Sequence, residues 1–340
     1  MGSQGSTIKE LVIDGIRTDD PEVMANKFND YFANIAKSLA DKIPDSSNSF
    51  TTFMKPPLPQ SFGLNLTSPE EILNLGHSIR LSHSKGVDDI DPCIAGRHLA
   101  SVAQPLADII NCSFTHGTFP QALKTAKIVP IFKQGVRDDF TNYRPISVLP
   151  YFSKFFEKIM YERLYKFITK NNVIFPSQHG FQAGHSPSMS LLNMQDRISA
   201  AIERNEYSLG IFFDLAKAFD TVDHGILLRK LERYGIRGTQ LQWFNSYLED
   251  RSQCVYCNGI FSALRAIKFG VPQGSNLDPL LFLIYINDLP NVSSRLYFIL
   301  FADTNVFYSH SSLDTLFQIV NAELSLAADW FSANKLRAYS

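Results

Sequence analysis

Two short apolar runs in this chain each end at an aspartate. Ile211-Phe212-Phe213 runs into Asp214, and Leu296-Tyr297-Phe298-Ile299-Leu300-Phe301 runs through Ala302 into Asp303. Apolar runs of this length predict buried strands, each delivering one acid to its end. After Asp214 the chain passes through Thr221-Val222-Asp223-His224 into apolar residues at helical spacing, Ile226, Leu227, Leu231 and Tyr234, up to Gly235. An Asp at a strand end can offer oxygen to a hard cation such as Mg²⁺. It can also simply cap the turn between strand and helix, and the first run alone favours that plainer reading. The second run overturns it, with the turn-rich loop Gly270-Val271-Pro272-Gln273-Gly274-Ser275 lying between the two. Two carboxylates can hold a pair of cations about 3.5–4 Å apart, bridging attacking and leaving oxygens in phosphoryl transfer.

The chain of 340 residues is long enough for two domains or for one domain with lobes. Its net charge of −1 sets up no global positive field, so any groove for nucleic acid must be local. Four cysteines make no disulfide framework at this length. Cys254-Val255-Tyr256-Cys257 has a metal-like spacing, but no second Cys pair or His pair accompanies it, so packing is the reading there. The N-terminus lacks a signal-type apolar segment, and Leu280 to Ile286 is too short to cross a bilayer. The chain reads as intracellular, in nucleus or cytoplasm, and not as secreted or membrane-bound.

In chain order, residues 1–20 are polar and predicted to fray. Asp20-Pro21 opens a helix with Met24, Phe28, Phe32, Ile35, Leu39 and Ile43 on one face. A Ser/Pro-rich stretch from 44 to 62 reads as a linker, and Ser68-Pro69-Glu70-Glu71 as the start of a second helix. A loop from 82 to 91 precedes a helix from about Leu99 to Phe114 that ends near Gly117. Ile128 to Phe132 is strand-like, flanked by Lys124, Lys127, Lys133 and Arg137; Asn142 to Ser147 reads as a turn carrying Arg144. Phe152 to Ile168 is an amphipathic helix with Lys154, Lys158, Lys166 and Lys170 along one side. Two successive basic elements suit a phosphate-lined groove, although a lysine stripe by itself is an ordinary solvated face. Further on come a glycine-bearing loop at 178–184 and a helix at 190–202. Another helix at 241–248 and a hairpin about Asn258-Gly259 follow, then a buried helix at 280–286, a return strand at 306–308 and a helix at 313–336.

Five segments resemble, in the same order, the motifs of the reverse transcriptases of non-LTR (LINE-type) retrotransposons. They are Asn142 to Ser147 (NYRPIS), Phe213 to His224 (FDLAKAFDTVDH), Gly270 to Ser275 (GVPQGS), Pro279 to Pro290 (PLLFLIYINDLP) and Phe301-Ala302-Asp303. The resemblance implies an α+β fold, the right-hand polymerase fingers and palm, with an antiparallel palm sheet backed by helices and the thumb absent. It divides the chain into 1–65 (helix and linker), 66–120 (a helical region preceding the polymerase) and 121–340 (fingers to about 208, palm from about 209). It also implies roles. Asp214 and Asp303 would be the catalytic metal ligands, with the backbone of Leu215 adding an oxygen, and Mg²⁺ the cofactor. Phe219 would lie under the sugar of the incoming nucleotide and exclude a 2′-hydroxyl. Arg144 and Lys133 would grip the triphosphate, and Gln273 and Gly274 would line the nucleotide and template pocket. The partners implied are an RNA template, a DNA primer and deoxynucleoside triphosphates.

Four departures stand out. Where the family carries two adjacent acids after Phe-Ala, this chain has Asp303 alone, followed by Thr304. A lost residue shortens the hairpin turn, so the return strand must tighten its turn or swap faces. Asn276-Leu277-Asp278 replaces the usual Val-Leu-Gly, Gln182 replaces the usual Arg, and the chain stops at Ser340, before the thumb. Two readings follow. One is an RNA-directed DNA polymerase extending a primer 3′-hydroxyl; the other is a catalytically inactive transposon remnant that at most binds nucleic acid. For the polypeptide as written, the departures favour the second.

Overall fold

Leu11–Ile13 (β1) and Ile16–Thr18 (β2) pair antiparallel about Asp14-Gly15, both with positive φ (51° and 83°). Residues 8–20 are therefore not frayed: this is the Asp-Gly hairpin turn, and Leu11 is fully buried in a core. The computed structural model describes residues 8–337 apart from 44, 45, 47, 183, 216 and 302, and the backbone alone at Asp303. Along the chain follow α1 (Pro21–Ala40), α2 (Pro69–Ser78), α3 (Pro92–Arg97), α4 (Leu99–His116), β3 (Thr125–Phe132), β4 (Tyr143–Val148) and α5 (Ser153–Lys170). Next come α6 (Pro187–Glu203), β5 (Tyr207–Phe213), α7 (His224–Arg233), α8 (Thr239–Leu248), β6 (Arg251–Cys257), β7 (Ile260–Phe261) and β8 (Arg265–Ile267). The last elements are α9 (Asp278–Ile286), β9 (Tyr297–Phe301), β10 (Asp303–His310) and α10 (Leu313–Ala333). The mixture is α+β. The chain divides into two compact units, the first made of 1–38, 61–164 and 236–278, the second of 39–60, 165–235 and 279–340.

The first unit is built on a five-stranded mixed sheet of order β4-β3-β6-β7, with β8 also on β6. β3 runs antiparallel to β4 and parallel to β6. Within the Asn142–Ser147 stretch, everything from Tyr143 on is thus strand and not turn. Pro145 lies opposite Pro130, and β4 is an edge, where a residue without an N–H costs no ladder bond. α1 lays Met24, Phe28 and Phe32 on a core with Ile128, Tyr143 and Val255; Phe28 meets Tyr143 edge-on at 5.0 Å. A second aromatic group stacks Trp243 on Tyr247 at 5.5 Å, with Phe119 edge-on to both. The Asn258-Gly259 hairpin forms as expected, both residues at positive φ. Cys254 and Cys257 are both buried, and burial pushes the Cys257 thiol up to about 11.

The second unit holds a three-stranded antiparallel sheet of order β5-β10-β9. Cross-strand register sorts its faces. Phe213, Thr304 and Leu300 share one side, and Phe213 meets Phe331 of α10 at 5.5 Å. Gly210, Phe307 and Tyr297 share the other, where Asn193 of α6 donates to the Tyr297 hydroxyl at 3.2 Å. The apolar run before Asp214 is not a buried strand. β5 and β9 are both edges of this sheet. The outer side of β9 is covered by the 177–179 segment, where Leu300 N–H donates to the Ser177 carbonyl at 3.0 Å, whereas Phe212 of β5 is 67 % exposed. An apolar run identifies a strand but not its depth in the sheet. β9 is the buried one, with Phe298, Ile299 and Leu300 at 2 % or less. From Leu280 to Ile286 every residue of α9 is buried, each such side chain worth about 1.5–3 kcal/mol. No helix among the described residues is long and apolar enough to cross a membrane.

Candidate active site

Asp214 follows β5 directly, and its side chain is exposed. The backbone at Asp303 opens β10. Thr304 is the register partner of Phe213, so Asp214 and Asp303 each lie one residue beyond that pair, at the same end of neighbouring strands. The side chain of Asp303 lies outside the described residues, so the register places the two acids by backbone alone. Phe301 is the partner of Asp303 across β9 and β10, leaving a single residue between them. That is one residue fewer than the common two-residue hairpin loop. Thr304 is fully buried with its hydroxyl unpaired, between Phe213 and Leu300. A hydroxyl buried there offers no ligand to solvent.

Leu215 is buried, and the segment after it turns sharply at Lys217, a left-handed residue (φ 51°). The Lys217 carbonyl accepts both the Asp220 and the Thr221 N–H, at 2.8 and 3.1 Å. That turn carries Phe219, half-buried, its ring 4.7 Å from Phe282 of α9 and edge-on to Phe181 at 6.0 Å. Asp223 then caps α7 by accepting the Ile226 N–H at 3.0 Å, and Lys335 donates to its other oxygen at 2.7 Å. Burial raises the Asp223 carboxyl, but the bonds from Lys335 and Ile226 outweigh it and hold the group below its ordinary value.

In the first unit, Lys133 and Arg144 lie at one end of the β3–β4 pair. Arg144 pairs with Ile131, and Lys133 N–H donates to the Asn142 carbonyl at 2.9 Å; both side chains are exposed. Arg137 is exposed beside them, 4.4 Å over the Phe132 ring. Lys124 does not join them. It is 4 % exposed, and burial lowers its ammonium, with Asp250 and Glu249 nearby to balance the charge. Lys127 is half-buried over the Tyr256 ring at 4.2 Å. The Gly270–Ser275 loop is fastened to β4: Ser147 N–H donates to the Gln273 carbonyl at 3.0 Å. Gly274 has φ 110°, and a Cβ there would sit 3.0 Å from the Ser147 carbonyl oxygen. Only glycine suits that position. The geometry thus joins Arg144, Gln273 and Gly274 through β4 in one unit, and Asp214, Phe219 and the Asp303 backbone in the other.

Two acids at adjacent strand ends in one unit, and a strand pair tipped with Lys and Arg in the other, agree with the motif order. A family model described as reverse transcriptase (RNA-dependent DNA polymerase) matches residues 131–339. The chain belongs to the reverse transcriptase family. It is similar to the RNA-directed DNA polymerase from the mobile element jockey of Drosophila melanogaster, 32 % identical over 274 residues, 79 % of this chain and 29 % of that protein. The jockey polymerase of Drosophila funebris is 30 % identical over 272 residues, again 79 % and 29 % of the two chains. The Retrovirus-related Pol polyprotein from the type-1 retrotransposable element R1 of Bradysia coprophila is 25 % identical over 328 residues, 94 % of this chain and 31 % of its own length. The chain thus spans under a third of the relatives it matches.

Two departures of this reverse transcriptase domain look different once placed. Asp278 does not put a charge on an open loop: it is 5 % exposed at the start of α9, its N–H donating to Ser275 Oγ at 3.0 Å. Gln182 folds back, its amide donating to the Gln178 carbonyl. The sequence reading missed Glu157. Its oxygens accept the Tyr247 hydroxyl at 3.2 Å and the Asn276 N–H at 3.0 Å, and burial pushes it up to about 7. The signal was available: Ser153, Phe156, Met160 and Leu164 mark the buried face of α5, and position 157 falls on it.

Proposed function

We propose that this chain is the fingers and palm portion of an RNA-directed DNA polymerase, and that as written it binds primed template but synthesises little or no DNA. The reading rests on one observation. Asp303 stands alone before Thr304 where the family carries two adjacent acids, and Phe301 and Asp303 are register partners with a single residue between them. In the reaction a primer 3′-hydroxyl attacks the α-phosphorus of a deoxynucleoside triphosphate and pyrophosphate leaves. Asp214, Asp303 and the Leu215 carbonyl would hold Mg²⁺, an oxygen donor set that suits a hard cation. Bound there, the ion supplies charge neutralisation for the transferring phosphoryl group. Phe219 would stand against the sugar edge that carries a 2′-hydroxyl in ribonucleotides. Lys133 and Arg144 would hold the triphosphate, Arg by paired N–H bonds, and Gln273 and Gly274 would receive base and template against a backbone that no Cβ obstructs.

With one acid fewer, the site lacks part of its charge stabilisation, usually the largest single contribution in such sites. Binding without synthesis is therefore favoured for this polypeptide. An intracellular location, nucleus or cytoplasm, goes with a nucleic-acid substrate. A primed RNA template tests both halves of the reading. Affinity should fall steeply with salt. Lys133→Ala with Arg144→Ala should leave that salt dependence unchanged and weaken deoxynucleoside triphosphate binding, because both side chains are assigned to the triphosphate. Deoxynucleotide incorporation should stay near background. Salt-insensitive affinity would remove the groove, and robust synthesis would overturn the impairment.

A further inference from the structure

Two of the fastenings of the Gly270–Ser275 loop differ in chemical character. At Gln273 the fastening is a neutral backbone bond from Ser147 of β4, 3.0 Å. At Asn276, the next residue after the loop, it is the carboxylate of Glu157, whose Oε2 accepts the Asn276 N–H at 3.0 Å. Glu157 Oε1 accepts the Tyr247 hydroxyl from α8 at 3.2 Å, and the glutamate side chain has no exposed surface.

A carboxylate taken fully out of water is expensive unless its bonds need the charge. Those bonds are set by every element around it. Arg251 of β6 favours the ionised form, and so does Lys154, one turn earlier on α5; the Asn276 N–H and Tyr247 hydroxyl donate to it. Asp278 of α9 faces Tyr247. Arg251 is itself tied to the group, donating to the Tyr247 carbonyl at 3.1 Å. A charge held in this way, spent on one backbone N–H, strengthens that bond about twofold over a neutral one. It bears on the residue where the loop turns into α9.

We propose that Glu157 is a positioning residue: its carboxylate fixes the backbone at Asn276 and thereby the conformation in which Gln273 and Gly274 meet nucleotide and template. The hold on the loop stands on geometry within one unit. What the loop meets rests on the polymerase reading given above.

Amide hydrogen exchange across 270–276, corrected for intrinsic rates, tests this without requiring synthesis. Glu157→Ala should accelerate exchange there at least tenfold, while Glu157→Gln, which keeps an acceptor oxygen, should stay within about threefold of the parent. In the parent chain, protection of the loop should rise between pH 6 and 8 as the carboxylate ionises. In Glu157→Gln it should be flat. The pH comparison decides the matter even if the alanine variant does not fold, and Tyr247→Phe should loosen the loop only partly. A parent profile as flat as that of Glu157→Gln, or equal acceleration of every amide in the unit in all variants, would overturn the proposal. Adding primed RNA template with deoxynucleotides should protect the parent loop further. If it does not, while Glu157→Ala still loosens the loop, the nucleic-acid reading of the loop fails and the carboxylate's hold on it stands.

Discussion

Inserting one Asp between Asp303 and Thr304 should restore synthesis, and the strand register sets the terms. Thr304 is partnered by Phe213 on one side and Leu300 on the other, and Val306 by Ile211 and Phe298. Thr304 and Val306 are buried, so a one-residue slip of β10 would turn both to the opposite face. The turn, by contrast, has one residue between its partners and can take a second, which makes it an ordinary two-residue loop. With Thr304 to His310 held in register, the inserted acid should take the place opposite Phe301 and Asp303 should move into the enlarged turn, giving two adjacent carboxylates at that strand end. Single electrostatic groups in such sites are worth roughly 10²–10³ in rate, about 2.7–4 kcal/mol. Labelled deoxynucleotide incorporation on a primed RNA template should rise by that factor over the parent, and Asp214→Asn in the inserted background should abolish the gain. An inserted protein with unchanged thermal unfolding and no gain in incorporation would refute the reasoning.

Two further outcomes concern the scaffold of the second unit. Lys230 and Asp288 form a fully buried ion pair at 2.6 Å, with one Asp288 oxygen unpaired; Lys230→Met should cost about 3–5 kcal/mol in urea unfolding, and Lys230→Met with Asp288→Leu should recover most of it. A single-variant loss below about 1 kcal/mol would show that the pair does not matter. The Asp223 carboxyl lies below its ordinary value when folded, so its stabilisation is complete above the unfolded value of about 3.9 and is lost as pH falls through the folded one. Lys335→Ala, by removing the 2.7 Å bond, should flatten acid unfolding in that window; an unchanged acid limb would count against it.

How far the sequence was legible depended on whether a local rule had a single outcome. Gly117 ends α4 in the left-handed region (φ 65°), and Asn258-Gly259 makes its hairpin, because those residues leave the backbone few alternatives. The same rule applied to Asp14-Gly15, between Val12-Ile13 and Ile16, and went unused because the strands are only three residues long. At 142–147 the turn reading of Pro145 met a competing possibility, an edge strand, which only the sheet order decides. Depth was the least legible property. Ile211 to Phe213 is as apolar as Phe298 to Leu300, and both strands are edges, yet the second is covered by residues 177–179 and the first leaves Phe212 exposed. Lys124 reads as part of a basic flank and is buried, whereas Glu157 reads as one charge in a lysine-rich helix and sits in the core. The motifs carried the identities of Asp214 and Asp303, and the register brings their backbones to one strand end.

Manganese binding, followed by paramagnetic relaxation of solvent water, tests most directly whether those two acids share a cation. Manganese takes the same oxygen ligands as magnesium. The parent chain should bind it, and Asp214→Asn and Asp303→Asn should each weaken that binding at least tenfold, while Asp314→Asn, an acid in the first turn of α10, leaves it unchanged. Two variants that bind manganese as tightly as the parent would contradict the shared site.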